Sequence, residues 1–147
     1  MKTAVKPIPE GYHSVTPYLT VENVERLLDF MKAAFDAKET ERMTRPDGTI
    51  GHAEARIGDS AVMMGQVQAA NKARPGNLYL YVPDVDATYR RALAAGGKSL
   101  REPTDEFYGD RNSGVEDPVG NQWWIATHVE DVSPAEMKRR AAQQKPR

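Results

Sequence analysis

A histidine and a carboxylate two residues apart, His52 and Glu54, are the side chains in this sequence best suited to acid–base work. Ala53, Ala55 and Ile57 alternate with them, so in a strand the period of two sends these three to one face and His52, Glu54 and Arg56 to the other. On such a face the imidazole could act as a general base oriented by the carboxylate, or both could hydrogen-bond a ligand. A solvated face on which Glu54 pairs with Arg56, Arg42 or Arg111 explains the same residues. As a metal site the pair is incomplete, because two donors on one strand need at least a third. Asp110 and Arg111 form a second polar group, following Phe107 and Tyr108 in what reads as a long loop over 102–113. Loops of that length often serve as lids or binding loops, and a flat, forked guanidinium suits a carboxylate or a planar ligand. An internal Asp110–Arg111 pair that keeps the loop folded is the plainer alternative. His13 and His128 fall at the outer ends of predicted strands and read as surface residues. Cysteine is absent, as are a Gly-rich phosphate loop, a G-x-S-x-G elbow and a dinucleotide fingerprint, which removes thiol chemistry and those nucleotide and hydrolase mechanisms.

The elements that must position these residues come twice. The first half reads as strand 14–21, helix from Asn23 to about Ala37, then strands 39–45, 50–57 and 61–65. The second reads as strand 77–82, helix after Asp84 ended by Gly96-Gly97, then strands 98–101, 114–117 and 121–127. Asn23 and Asp84 are good N-caps, and Val24, Leu27, Leu28, Met31, Ala34 and Phe35 recur at helical spacing. Ile57-Gly58-Asp59-Ser60 and Val119-Gly120-Asn121-Gln122 look like matching turns, each before an apolar run. Residues 66–76 read as a linker, and Ser133-Pro134-Ala135-Glu136 starts a short terminal helix. A period of about 60 residues means one duplicated module rather than a solenoid. The organisation expected is a single domain over 1–147, with modules at about 14–66 and 77–128 and a helical tail from 133.

A βαβββ module present twice, with Thr20-Val21-Glu22-Asn23 and Val82-Pro83-Asp84-Val85 entering the helices and Asp117-Pro118-Val119-Gly120-Asn121 before the last strand, resembles the vicinal oxygen chelate superfamily. That is the group of glyoxalases, bleomycin-resistance proteins and extradiol dioxygenases. The stretches from His52 to Ser60, Gly109 to Arg111 and Asp117 to Thr127 are similar to its PhnB-like branch. The resemblance covers about 14–128. It implies an α+β fold, two modules forming a cupped mixed β-sheet with helices outside, in a homodimer.

Metal-bearing members of that superfamily place their ligands on the first and last strands of each module, pointing into the cup. Alternation puts Thr16, Tyr18 and Thr20 in the cup from the first strand, Asn77, Tyr79 and Tyr81 from the fifth, and Gln122, Trp124 and Ala126 from the last. Aligning Gly58 with Gly120 adds Val62 and Met64. The positions matching the family's ligands are then Thr16, Val62, Asn77 and Trp124, and none is a His, Asp or Glu. No metal and no cofactor is expected. What lines the cup instead is aromatic, Tyr18, Tyr79, Tyr81 and Trp124 with Val62 and Met64 between, which favours flat, partly apolar ligands; Tyr108, Asp110 and Arg111 would close over it. Trp124 as a space-filling core residue, or the tyrosines as dimer contacts, would account for the same composition.

With 147 residues, 39% of them hydrophobic, the chain is the size of one globular domain, and a net charge of −1 gives no reason to expect nucleic acid or an anionic membrane as partner. No apolar run reaches spanning length, and 1–11 lacks the apolar core of a signal peptide, so a cytoplasmic protein is expected. The reading that fits best is a metal-independent binding protein of the bleomycin-resistance type, sequestering a planar or aromatic small molecule. Second stands a metal-free acid–base enzyme, an isomerase or lyase of a biosynthetic pathway, using His52 with Glu54 or Asp110; third, a divalent-metal glyoxalase-like enzyme whose site has moved to His52 and Glu54.

Overall fold

A computed structural model describes residues 4–69 and 72–146. The chain forms two compact units, residues 1–76 and 77–147. In the first, β1 (Tyr18–Val21), α1 (Val24–Phe35), β2 (Lys38–Thr44), β3 (Ile50–Ile57) and β4 (Ser60–Gln66) follow in order. In the second the same order gives β5 (Asn77–Tyr81), α2 (Val85–Ala94), β6 (Lys98–Asp105), β7 (Asp110–Glu116) and β8 (Gln122–His128), after which α3 (Pro134–Ala141) is added. Each unit holds one four-stranded mixed sheet, in the orders β1-β4-β3-β2 and β5-β8-β7-β6. The fold is therefore α+β with two βαβββ modules.

In each unit the first strand pairs in parallel with the last, and the other neighbours are antiparallel. A parallel pair cannot be closed by a tight turn, and the intervening helix and hairpin supply the crossover. The helix then covers one sheet face. Asn23 and Asp84 accept hydrogen bonds from the amides of Arg26 and Ala87, so both helices start where the caps require. Helix α1 ends with Asp36 at φ 56°, a left-handed C-cap filled without glycine, whereas past α2 the left-handed position is taken by Gly96. Against α1 lie Leu19, Val21, Ala53, Ala55, Ile57, Val62 and Met64, all buried, and the alanines let the helix approach closely.

Val62 and Met64 are therefore on the helix face, contrary to their expected place in the cup. Tyr18 pairs with Met63 in one unit and Tyr79 with Trp124 in the other, so the residue equivalent to Trp124 is Met63. The turns explain the slip. Ile57 and Ser60 close a two-residue loop, whereas Glu116 and Gln122 close a five-residue one, so Gly58 and Gly120 are not counterparts. With a side-chain period of two, one residue of misalignment exchanges the faces. The expected loop over 102–113 is likewise absent: β6 and β7 run through it as a hairpin turning at 106–109. Pro103 sits in β6, the edge strand, where a missing N–H is tolerated and the ladder register shifts.

The five-residue loop is organised by Asp117, which is buried. Its carboxylate accepts from the amides of Val119 and Asn121, from Asn121 Nδ2 and, at 2.8 Å, from Trp123 Nε1. Trp123 is thereby fixed on the helix face. Replacing Asp117 with Ala removes the acceptor that these four donors share and should cost about 3 kcal/mol of unfolding free energy, measurable as a lowered urea midpoint; an unchanged midpoint would refute this account of the loop.

Candidate functional site

The face of each sheet away from its helix carries a buried carboxylate on the third strand of the module, held by phenols and a histidine. In the N-terminal unit the carboxylate is Glu54, only 5% exposed. Cross-strand pairing sets Glu41, Glu54, Met63 and Tyr18 in one row and Met43, His52, Gly65 and Thr20 in the next. Tyr12, from the lead-in segment, donates its hydroxyl to Glu54 Oε1, and His52 Nε2 lies 3.1 Å from Glu54 Oε2. An ionised carboxylate only accepts, so Nε2 carries the hydrogen; in the neutral ring Nδ1 then accepts from the Tyr18 hydroxyl at 3.3 Å. The hydrogen bond from Tyr12, followed by those of His52 and Glu41, holds the Glu54 pKa below the ordinary carboxylate value against the opposing pull of burial. Glu41 moves the other way, raised first by its hydrogen bond to Glu54 and then by their charge repulsion. Glu41 is thus the member of the pair that keeps the proton longer.

In the C-terminal unit the carboxylate is Asp110, also 5% exposed. Its Oδ2 accepts from the hydroxyls of Tyr79 and Tyr81 at 2.8 and 2.9 Å, and His128 Nδ1 lies 2.9 Å from Oδ1. Asn112, fully buried, gives one amide hydrogen to the Tyr79 hydroxyl and the other to Tyr108, while its oxygen accepts from Arg101. Arg101 also pairs with Glu106 at 3.1 Å, and its guanidinium carbon stands 5.3 Å from the centre of the Trp124 ring. Trp124 in turn lies over Gly114, its cross-strand partner: a Cβ on Gly114 would come within 2.5 Å of the indole. Gly65 is a matching seat for the ring of Tyr18.

His52 and Glu54 therefore stand together on one open face, and Tyr79, Tyr81, Tyr108, Asp110 and Trp124 on the other. Asn77 is exposed and pairs with Gln122 at the end of that second face. Thr16 lies before β1, its hydroxyl directed to the His13 carbonyl. Arg111 corrects the expectation made for it. One residue on from Asp110 in β7, it points to the helix side and forks onto Asp86 of α2, with Asp105 as a further partner. There it pins helix to sheet. His128 is a surface residue, as expected, and it also belongs to the Asp110 cluster. Its signal was present in the sequence, since Trp124, Ala126 and His128 share one parity. Arg101 and Asn112 carried no comparable signal, because their strands were read as a loop or cut short.

Two cavities are lined by other residues. One of about 330 Å³ is lined by Glu22, Arg45, Asp47, Thr49, Gln66 and 67–69, and one of about 210 Å³ opens beside Pro83, Asp86 and Arg111.

The match to known proteins agrees with this architecture. The family model of the Glyoxalase/Bleomycin resistance protein/Dioxygenase superfamily matches residues 11–125, and the chain belongs to that superfamily. An uncharacterized protein of Mycobacterium bovis is 34% identical over 136 residues, covering 85% of this chain and 90% of its own length. Among solved structures, TioX from Micromonospora sp. ML1 superposes with a TM-score of 0.68 at 25% identity, over 80% of this chain and 99% of its own. A PhnB protein from Bacillus cereus shares the fold with a TM-score of 0.64 at 18% identity, over 78% of this chain and 99% of its own.

Metal-dependent members of the superfamily need charged or imidazole donors on the first and last strands. With Met63 in the place first given to Val62, the corresponding residues here are Thr16, Met63, Asn77 and Trp124, a hydroxyl, a thioether, an amide and an indole. Among the described residues no group of three or more His, Asp or Glu could hold an ion. These side chains do not fit a divalent cation.

Both ring nitrogens of His128 face carboxylates, Asp110 and, at 2.8 Å, Asp131. The hydrogen bond to Asp110, then that to Asp131, raises the His128 pKa against the opposing effect of desolvation. A raised pKa means that the stabilisation is complete below the unfolded value of about 6.5 and is lost as pH rises through the folded one. NMR titration of the His128 ring should give a pKa above that value, returning toward it in Asp110→Asn, and the wild type should lose more stability than the variant between mildly acidic and mildly alkaline pH. Equal pH profiles would contradict the assignment.

Proposed function

We propose that this protein binds a planar or aromatic small molecule without a metal, in the manner of the bleomycin-resistance branch of its superfamily. The observation that carries the reading is the Trp124 indole laid over Gly114, with the Arg101 guanidinium over part of the ring and Tyr79 in the adjoining position across the sheet. A ring held this way by a glycine seat and a guanidinium is a stacking platform fixed before any ligand arrives, so little ordering entropy is lost on binding. Asn77 and Tyr108 lie at the margins of the same face. We propose further that the chain acts as a single cytoplasmic domain and as a homodimer, because each sheet leaves edge strands that need cover. Among the described residues no helix is long and apolar enough to cross a membrane.

A second reading is favoured by one contact, His52 Nε2 to Glu54 Oε2, backed by Tyr12 and Tyr18. In that reading His52 is a general base held in one tautomer by Glu54, acting on a substrate at the N-terminal unit's open face.

Three measurements separate these readings. Dialysis against a strong chelator should leave the melting temperature within about 1 °C, since removal of a native-state ligand must lower it; a large drop restored by one cation would overturn metal independence. For a planar ligand found by thermal-shift screening, Trp124→Phe should weaken binding by about 1 kcal/mol or more, with Trp123→Phe nearly neutral for binding. The opposite ranking would remove Trp124 from the site. His52→Gln and Glu54→Gln should change affinity only modestly in a binder, whereas an acid–base enzyme would lose turnover by about 10²-fold or more.

A further inference from the structure

The hydrogen bonds around Asp110 have a fixed direction. Asn112 spends its oxygen on Arg101 and both amide hydrogens on Tyr79 and Tyr108. The Tyr79 hydroxyl therefore accepts from Asn112 and donates to Asp110. The Tyr81 hydroxyl also donates to Asp110, but among the described residues it accepts from nothing, and Tyr81 is 60% exposed. What Tyr81 offers to an incoming molecule is thus a lone pair, polarised by the carboxylate behind it. A ligand group placed there must donate. Charge points the same way: Asp110, Asp131 and Glu106 outnumber Arg101 and His128 even when the histidine is protonated. The rings of Tyr79 and Tyr81, edge to face with centroids 5.3 Å apart, favour a flat cation further.

We propose that the open face of the C-terminal unit selects ligands with a planar, cationic N–H donor head, an amidine, a guanidine or a protonated amino-heteroaromatic, which donates to the Tyr81 oxygen in front of Asp110. The proposal rests on the binding reading above and gives that ligand its chemical class. An anionic head meets Asp110 and an oxygen whose hydrogen is already committed, so it is refused.

The test uses 2-naphthamidine, 2-naphthamide and 2-naphthoate, which share one ring system and differ in the head. Binding is followed on the full-length protein by calorimetry and by the shift of the Trp124 indole N–H signal. The amidine should bind about tenfold or more tighter than the amide, as a charge-assisted hydrogen bond requires, with the naphthoate weakest. Tyr81→Phe removes the acceptor and keeps the charge, and Asp110→Asn removes the charge. Each should cut the amidine preference to about threefold or less, because the charge-assisted bond of the amidine loses more than the neutral bond of the amide. If Asp110→Asn does not fold, Tyr81→Phe alone decides. Equal binding of all three, or tightest binding of the naphthoate, would overturn the selectivity while leaving the binding platform standing. No shift of the Trp124 signal with any of them at millimolar concentration would overturn both.

Discussion

The parallel pairing of first and last strands is the constraint on which the rest of this structure depends. It fixes which residues share a row: Tyr79 beside Trp124, Tyr81 beside Ala126, Tyr18 beside Met63. Because side chains alternate, that register settles in one stroke that Trp123 and Ile125 are buried against α2 while Trp124 and His128 face away. Displacing the pairing by one residue would put an indole fitted to Asp117 into the open and send Trp124 into a helix interface with no seat for it. The Asp117 loop and Gly114 thus act from two ends to hold one register.

Much of this was legible in the residues. The duplicated plan, both N-caps and the burial of Trp123 follow from periodicity, capping chemistry and alternation. The pairing of His52 with Glu54 is a matter of spacing on a strand whose other face is alanine and isoleucine. What failed did so for identifiable reasons. Val62 and Met64 were misplaced because two turns of similar composition have different lengths, and length, not composition, sets the phase of the strand that follows. Arg111 departs from its expected place because β6 and β7 continue through Pro103 and the polar run around it, so strand alternation turns Arg111 to the helix side. Arg101 and Asn112 could not be found at all, since Asn112 matters through Tyr79, 33 residues earlier, and Arg101 through Asn112 and Trp124 on neighbouring strands.

The two carboxylates solve the same problem differently. A buried carboxylate is costly unless its lone pairs are filled, and each is met mainly by phenols rather than by an arginine. Phenols supply hydrogen bonds without cancelling the charge, so the sheet faces keep a local negative character that a guanidinium partner would have erased. Each has a histidine partner, His52 or His128, but Glu54 also shares its surroundings with a second carboxyl, Glu41. For Asp110, burial pulls the pKa upward, but His128, Tyr79 and Tyr81 together outweigh it and leave the group below its ordinary value. The carboxylates are not at equivalent positions in the duplicated plan: Glu54 lies opposite Met63, whose counterpart Trp124 lies opposite Gly114, while Asp110 pairs with His128 at the far end of the strand.

The glycine beneath each ring ties two positions into one evolutionary unit. At Gly114 any side chain collides with the Trp124 indole, and at Gly65 it collides with the Tyr18 phenol. Such a pair can drift only together: a methyl group at the glycine becomes acceptable once the ring has shrunk, and a smaller residue at the ring position first opens a hole above the glycine. A side chain at the glycine requires the ring to move or shrink, so the two positions are coupled. Where a descendant has lost one partner, the other records that a flat ring once lay there.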